Sequence, residues 1–173
     1  MGPESLQQLN RSCGKCNVCC VCVSVAAFNK PADVPCQHLT VLQPQGCCGI
    51  YDERPSECKA YECAWKEGWI LEELKPDSCG IMLEHAWIEH PKRLNLLMGF
   101  ENRQGAMEEN LEALDAAAKN GIVIGVVPFE RDDYPTYFGE EQDLEAWAIF
   151  VEGCKRRGKI THKMADGTFD MDV

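Results

Sequence analysis

Cysteine spacing near the N-terminus constrains the fold of this chain more than any other feature. Five thiols fall within ten residues, in the run Cys13-Gly-Lys-Cys16-Asn-Val-Cys19-Cys20-Val-Cys22, and eleven of the twelve cysteines precede residue 80. This stretch has little apolar content from which to build a core. Binding of one metal by several thiolates folds such a segment, because the free energy of binding becomes free energy of folding. We therefore expect bound metal to organise the first eighty residues.

The expected compartment decides between metal ligands and disulfides. The N-terminal residues Met-Gly-Pro-Glu-Ser are polar and lack the pattern of a secretory signal. No apolar stretch approaches the ~20 residues that span a bilayer. We therefore expect a cytoplasmic protein with no membrane partner, in which clustered cysteines are metal ligands or redox thiols. In a secreted chain the twelve cysteines would instead allow six disulfides.

The charge of the chain bears on its partners. The net charge is −11, and so acidic a surface repels phosphate backbones, which argues against a nucleic-acid partner. The basic run Lys155-Arg156-Arg157 is explained by the favourable position of cations at the C-terminal end of a helix. Metal ions are the partners that we expect, and the sequence does not identify a protein partner.

The spacing of the first cysteines suits metal coordination. Cysteines separated by two residues bend round one metal while the amide groups of the turn face their sulfurs. The run Cys13-x-x-Cys16-x-x-Cys19 offers three such ligands, as in loops that hold three corners of a cubane cluster and take the fourth thiolate from elsewhere. Zinc sites more often use two separated CxxC pairs. We expect the side chains of Cys19 and Cys20 to diverge, so that they serve different metals or one of them bridges.

Eight cysteines make two full sets of four ligands. The predicted metal ligands are Cys13, Cys16, Cys19, Cys20, Cys36, Cys48, Cys58 and Cys63. Two tetrahedral zinc ions, two iron–sulfur clusters, or one cluster and one zinc ion would each use this number. Closed four-thiolate sites leave no open coordination position, which favours a structural or electron-transfer role over Lewis-acid catalysis.

The order of these motifs resembles a known family. CxxCxxCC is followed by Cys36-Gln-His38-Leu39 and then by Cys-x-Ile-Tyr-x-x-Arg-Pro-x-x-Cys-x-x-Tyr-x-Cys, which runs from Cys48 to Cys63. This pattern resembles the YkgJ-type family of cysteine-cluster proteins over roughly residues 13–85. Members of that family are described as zinc- or iron-chelating domains, or as iron–sulfur-cluster proteins. The resemblance implies metal binding, and it leaves the identity of the metal open.

Several other side chains are candidates for supporting or replacing a ligand. Cys22, Cys47 and Cys79 are additional to the family pattern, and each can replace one of its ligands, as can His38. Cys154, on the apolar face of a predicted helix, is expected to be a small buried hydrophobe. For Arg54 two roles stay open: neutralising thiolate charge, and stabilising a turn.

The pattern of apolar residues predicts an α+β fold in two parts. Residues 1–80 form a cysteine-rich, loop-dominated metal-binding knot in which Ser56 caps a short helix, and this packs on a small mixed α/β unit over residues 81–173. The elements predicted after the knot are strands at 79–88, 94–100 and 122–127, a helix from 107 to 118 with Leu111 and Leu114 on its apolar face, a loop at 132–139, a helix with Leu144, Trp147 and Cys154 on one face, and a hairpin of 159–164 with 168–171.

Three functional hypotheses follow. The first is a non-catalytic protein with one or two thiolate-ligated centres, iron–sulfur or zinc, in a structural or electron-transfer role. The second is a metal chaperone or chelator. The third is a subunit of a redox enzyme that uses an iron–sulfur cluster. The chain carries no P-loop, nucleophile elbow, zinc-protease or dinucleotide-binding motif, which favours the non-catalytic hypotheses.

Overall fold

The protein is described from a computed structural model. The described residues are 11–40, 48–86, 95–118, 122–129, 136–140, 144, 147–148, 162–163 and 169–170. Cys47, Cys154 and the basic run at 155–157 lie outside them, so the predictions for these residues are not addressed. The fold class is the predicted one, with short helices, a four-stranded mixed sheet and long loops.

The segments that carry the cysteines contain only short helices among the described residues. These helices are α1 (Cys19–Cys22), α2 (Ser56–Ala60) and α3 (Pro76–Cys79), joined by turns and single 3₁₀ turns. The prediction that Ser56 caps α2 was wrong. Pro55 occupies the capping position, and no side chain caps the helix. Because proline fixes its own φ and the next residue can begin the helix, Ser56 becomes the first helical residue.

The main sheet has the strand order β1-β2-β3-β4. Its strands are β1 (Ile81–Ala86), β2 (Asn95–Glu101), β3 (Ile122–Val127) and β4 (Thr136–Phe138). β2 runs antiparallel to β1 and parallel to β3, and β4 runs antiparallel to β3. The first three strands were predicted. The prediction of a loop at 136–138 was wrong, because three residues are too few to show a period although they pair with the edge of β3.

The helix predicted from 107 to 118 is broken in two. It consists of α4 (Ala106–Glu109) and α5 (Leu111–Ala118), with Asn110 between them. The side-chain amide of Asn110 donates to the carbonyl oxygens of Cys79 (2.9 Å) and Ala106 (2.7 Å). An asparagine that bonds to backbone in this way competes with the helical ladder. The break reorients the first residue of α5, so Leu111 is 46% exposed while Leu114 is fully buried, and the prediction for Leu111 was wrong.

One face of the sheet packs on α5 and on residues 64–79. Leu83, Leu97 and Ile124 share this core with Trp65 and Leu74, along with other buried side chains from both sides of residue 80. The amide of residue 64 also donates to the carbonyl of Leu83 at 2.8 Å. The last part of the cysteine-rich sequence is therefore held by buried hydrocarbon.

The opposite face of the sheet carries two further clusters. Trp147 packs among Leu96, Met98, Val123 and Val127, and Gly125 leaves the space that its ring fills. Leu144, predicted on the same helix face as Trp147, is 44% exposed, whereas Trp147 is buried.

Beside the Trp147 cluster, the cysteine-rich segments contact the same face of the sheet. Met82 packs with Val18 and Cys22, and it pairs across the strands with Phe100. The sheet thus supports the cysteine-rich loops directly.

Two short strands complete the described structure. β5 (His162–Lys163) pairs antiparallel with β6 (Phe169–Asp170), in agreement with the predicted hairpin. Among the described residues, no helix has both the length and the apolar character needed to cross a bilayer.

Candidate metal centre

Backbone hydrogen bonds bring the separate cysteine segments together. The amide of Cys16 donates to the carbonyl of Cys13 at 2.9 Å, and this turn uses Gly14 at φ +56°, where a side chain is unfavourable. The amide of Cys36 donates to the carbonyl of Cys20, also at 2.9 Å. Cys48 forms a β-bridge with Leu39, three residues after Cys36. Positions 20, 36 and 48 are therefore neighbours in space although they are far apart in sequence.

Two charged side chains hold the same loops together. The exposed carboxylate of Glu57 on α2 accepts hydrogen bonds from the amides of Ala26 (3.3 Å) and Ala27 (2.8 Å). Lys30 is buried, and its ammonium group donates to the carbonyl oxygens of Val21 (2.9 Å) and Pro31 (3.0 Å). Neither residue was singled out from the sequence. A single Glu or Lys carries no periodic signal, and the backbone groups it binds are set by the fold.

The folded loops surround a cavity of about 220 Å³, here called the larger cavity. Seven of the eight predicted ligands line it: Cys13, Cys16, Cys19, Cys20, Cys36, Cys48 and Cys58. His38, Arg54 and Tyr61 also contribute to its wall. Three separate stretches of sequence, within 13–28, 36–38 and 48–61, thus contribute residues to one cavity.

A second cavity of about 40 Å³, here called the smaller cavity, lies next to the first. Its thiols are those of Cys13, Cys16, Cys19 and Cys63. Tyr61 lines both cavities. Every predicted ligand therefore lines at least one cavity, and three of them line both.

Two of the candidate replacement ligands lie elsewhere. Cys22 is buried in the cluster with Val18 and Met82. The sulfur of Cys79 lies 3.3 Å from both the amide nitrogen and the carbonyl oxygen of Ile81, in the core beneath α5. Neither residue lines the larger or the smaller cavity. All ten cysteines in the described part of the chain are free thiols.

The spacing of the thiols bears on the kind of metal centre. In a tetrahedral zinc site with bonds of about 2.3 Å, the sulfurs lie about 3.8 Å from one another. Within the described ranges, no three Cys, His, Asp or Glu side chains form a group of the kind that holds one metal ion. The thiols face shared space without converging on one point. A single ion would require the loops to close around it, whereas a cluster of several atoms spans a wider set of sulfurs.

The thiols of Cys19 and Cys20 affect each other's ionisation. A hydrogen bond between them is the largest cause of the raised pKa of Cys19. The same bond, together with the charges of Lys30 and Arg54, lowers the pKa of Cys20 to about 7 although burial acts against this. Whether the two thiols serve different metals stays a prediction.

Burial controls the ionisation of the other thiols. It raises the pKa of Cys16 to about 11, and it is also the largest cause of the raised pKa values of Cys58 and Cys63. A buried thiolate needs a compensating positive charge. These side chains are therefore suited to bind as thiolates when a cation supplies that charge, and to stay protonated without one. Thiols with this requirement are chemically appropriate for a soft metal such as iron or zinc.

Arg54 and His38 occupy the wall of the larger cavity. The Arg54 side chain donates through Nε to the carbonyl of Tyr51 (2.7 Å), and its guanidinium lies 3.6 Å from the centre of the Tyr51 ring. Its charge acts to lower the pKa values of Cys20 and Cys58, although burial leaves that of Cys58 raised. The bond to Tyr51 fits the predicted turn-stabilising role, and neutralisation of thiolate charge stays a prediction. The ring of His38 lies 4.7 Å from that of Phe28, and whether it is a ligand stays a prediction.

Comparison with known proteins assigns this chain to no family. No family model, curated protein or solved structure matches this chain. The resemblance to the YkgJ-type family therefore stays a prediction that rests on the cysteine spacing.

Proposed function

We propose that this protein binds metal through its clustered cysteines and holds one or two thiolate-ligated centres. The observation that carries the proposal is that seven of the eight cysteines singled out by spacing line a single cavity. They come from stretches of sequence that only the fold brings together. Cys22, which continues the three-residue spacing of Cys13, Cys16 and Cys19, and Cys79 face the core instead.

The arrangement favours an iron–sulfur cluster over isolated zinc ions for at least one centre. In the described part of the chain no three candidate ligands group tightly enough for one ion, yet many thiols face the same space. The run Cys13-x-x-Cys16-x-x-Cys19 is also of the type that holds three corners of a cubane cluster. Such a cluster supplies one-electron redox chemistry when bound.

The role that fits this site best is structural or in electron transfer. Four thiolates on a centre leave no open position for a substrate. The side chains near the thiols supply charge and shape: Lys30 and Arg54 place positive charge beside Cys20, and Tyr61 forms part of both cavity walls. A metal that exchanges readily with the solution would instead indicate that the protein is a metal chaperone.

The test is to purify the full chain without oxygen and to measure iron, zinc and acid-labile sulfide per chain together with the visible absorption spectrum. We expect brown protein with iron and sulfide in matching amounts, and a Cys22→Ala variant with the same content. Stoichiometric zinc without colour would support the structural zinc alternative. Metal below one equivalent that transfers readily to a chelator would support the chaperone. Purified protein that contains no metal, yet is compact and has its thiols far apart, would overturn the proposal.

A further inference from the structure

The two cavities are lined by different subsets of the predicted ligands. Four of the predicted ligands, Cys20, Cys36, Cys48 and Cys58, line the larger cavity and not the smaller one. Cys63 lines the smaller cavity and not the larger one. The remaining three line both. A full set of four is therefore already complete on one side, and Cys63 lacks three partners on the other.

We propose that the eight cysteines form two separate four-thiolate sites, one made by Cys13, Cys16, Cys19 and Cys63 and the other by Cys20, Cys36, Cys48 and Cys58. These are called set A and set B. The proposal rests on the metal-binding function proposed above and assigns its ligands. Each set takes a soft, thiophilic centre, either one zinc ion or one iron–sulfur cluster.

The backbone gives the physical reason for this pairing. Cys63 precedes the segment that is fixed to β1 by the bond from the amide of residue 64 to the carbonyl of Leu83, so its position is set by the sheet. Its thiol contacts the cluster of Val18 and Met82 that lies under the first cysteine turn. Cys36 is instead tied to Cys20 by the amide–carbonyl bond at 2.9 Å.

The first experiment measures metal per chain in single and double Cys→Ser variants of the full protein. Cys16→Ser and Cys63→Ser should each lose the metal of set A and reach the same residual content, and the double variant should lose no more. Cys48→Ser and Cys58→Ser should reach a second common value. A Cys63→Ser/Cys58→Ser variant should lose all metal. Cys79→Ala is the matched control and should keep all of it. Equal residual metal in Cys63→Ser and Cys16→Ser/Cys58→Ser would overturn the pairing.

A second experiment needs no variant and covers the case in which a substituted chain fails to fold. Wild-type protein is partly stripped with a chelator under reducing conditions, and its free thiols are alkylated and located by mass spectrometry. Protection from alkylation should be lost in two blocks that correspond to set A and set B. Cys63 protected together with Cys48 and Cys58 would overturn the pairing while leaving metal binding intact. Uniform alkylation of all thiols in untreated protein would instead overturn the proposed function itself.

Discussion

Removing metal should unfold the cysteine-rich loops while the sheet stays folded. Among the described residues between 12 and 63, the buried hydrophobic side chains are those of Val18, Cys22 and Val25. At about 2 kcal/mol each, they contribute about 6 kcal/mol. A structural zinc site contributes about 10–16 kcal/mol, which is comparable with the entire stability of an ordinary domain. The metal is therefore expected to outweigh hydrocarbon in this part of the chain.

In the sheet, buried hydrocarbon is expected to contribute more to stability than bound metal. β2 and β3 are buried over most of their length and β1 over its first half, and residues 64–79 share their core. We therefore expect the metal-dependent part of the protein to end near residue 63, well before the boundary at residue 80 that was predicted from the cysteines alone. Trp65, Ile70 and Leu74 should behave as part of the sheet, because they are buried in its core.

Hydrogen exchange measured by mass spectrometry tests this expectation. Protein treated with chelator and kept reduced is compared with untreated protein. The amides of Cys36 and Gly49, which donate to backbone carbonyls in the loops, should lose protection, while those of Leu97 and Ile124 keep it. Loops that stay as protected as the sheet would refute the reasoning that metal holds them. A sheet that unfolds together with the loops would refute the claim that its core is self-sufficient.

Three further predictions concern single contacts. Arg11→Lys should lower the free energy of unfolding by about 2 kcal/mol, because the buried guanidinium donates to the carbonyl oxygens of Trp65 and Ile70 at 2.6 and 2.9 Å. Arg11 also forms an ion pair with the exposed carboxylate of Glu72 at 3.2 Å, and Glu72→Gln should change the same free energy by less than about 1 kcal/mol; denaturant titration measures both. Gly125→Ala should destabilise the fold by about 2 kcal/mol in the same titration, because the added methyl group overlaps the ring of Trp147. The pKa of Cys20 is about 7 only while the folded loops hold Cys19, Lys30 and Arg54 beside it, so removal of metal should return this pKa to its ordinary value. In metal-free, reduced protein the alkylation rate of Cys20, followed by mass spectrometry, should therefore keep rising above pH 8; a rate that levels off near pH 8 would show that the loops stay folded without metal.

The predictable part of the fold is the part with a long, regular pattern. The run of β-branched residues at Ile122–Val127 identified β3, and the sheet partners β1 and β2 were found in the same way. The break at Asn110 was missed because it depends on a carbonyl of Cys79, which is remote in sequence. Strand β4 was missed because only its neighbour in the sheet makes three residues a strand.

For the candidate site, spacing identified the residues but not their arrangement. The period of three that links Cys13, Cys16 and Cys19 is local, so it is visible in the sequence and predicts ligands. Which cavity Cys63 lines depends on the path of the chain from residue 22 to residue 63, and no local pattern encodes that path.

Tyr61 shows how the sheet and the cysteine-rich loops are connected. Its hydroxyl group donates to the carboxylate of Glu84 on β1 at 3.1 Å, and its ring lines both cavities. Burial raises the pKa of Tyr61, so the phenol stays protonated and keeps donating. Cys63 lies two residues further along the chain and is also positioned by β1, because the amide of residue 64 donates to the carbonyl of Leu83. β1 therefore positions both a predicted ligand and part of the cavity wall. The folded sheet therefore presents part of the site before any metal binds, and the remaining thiols have to be drawn to it by the metal.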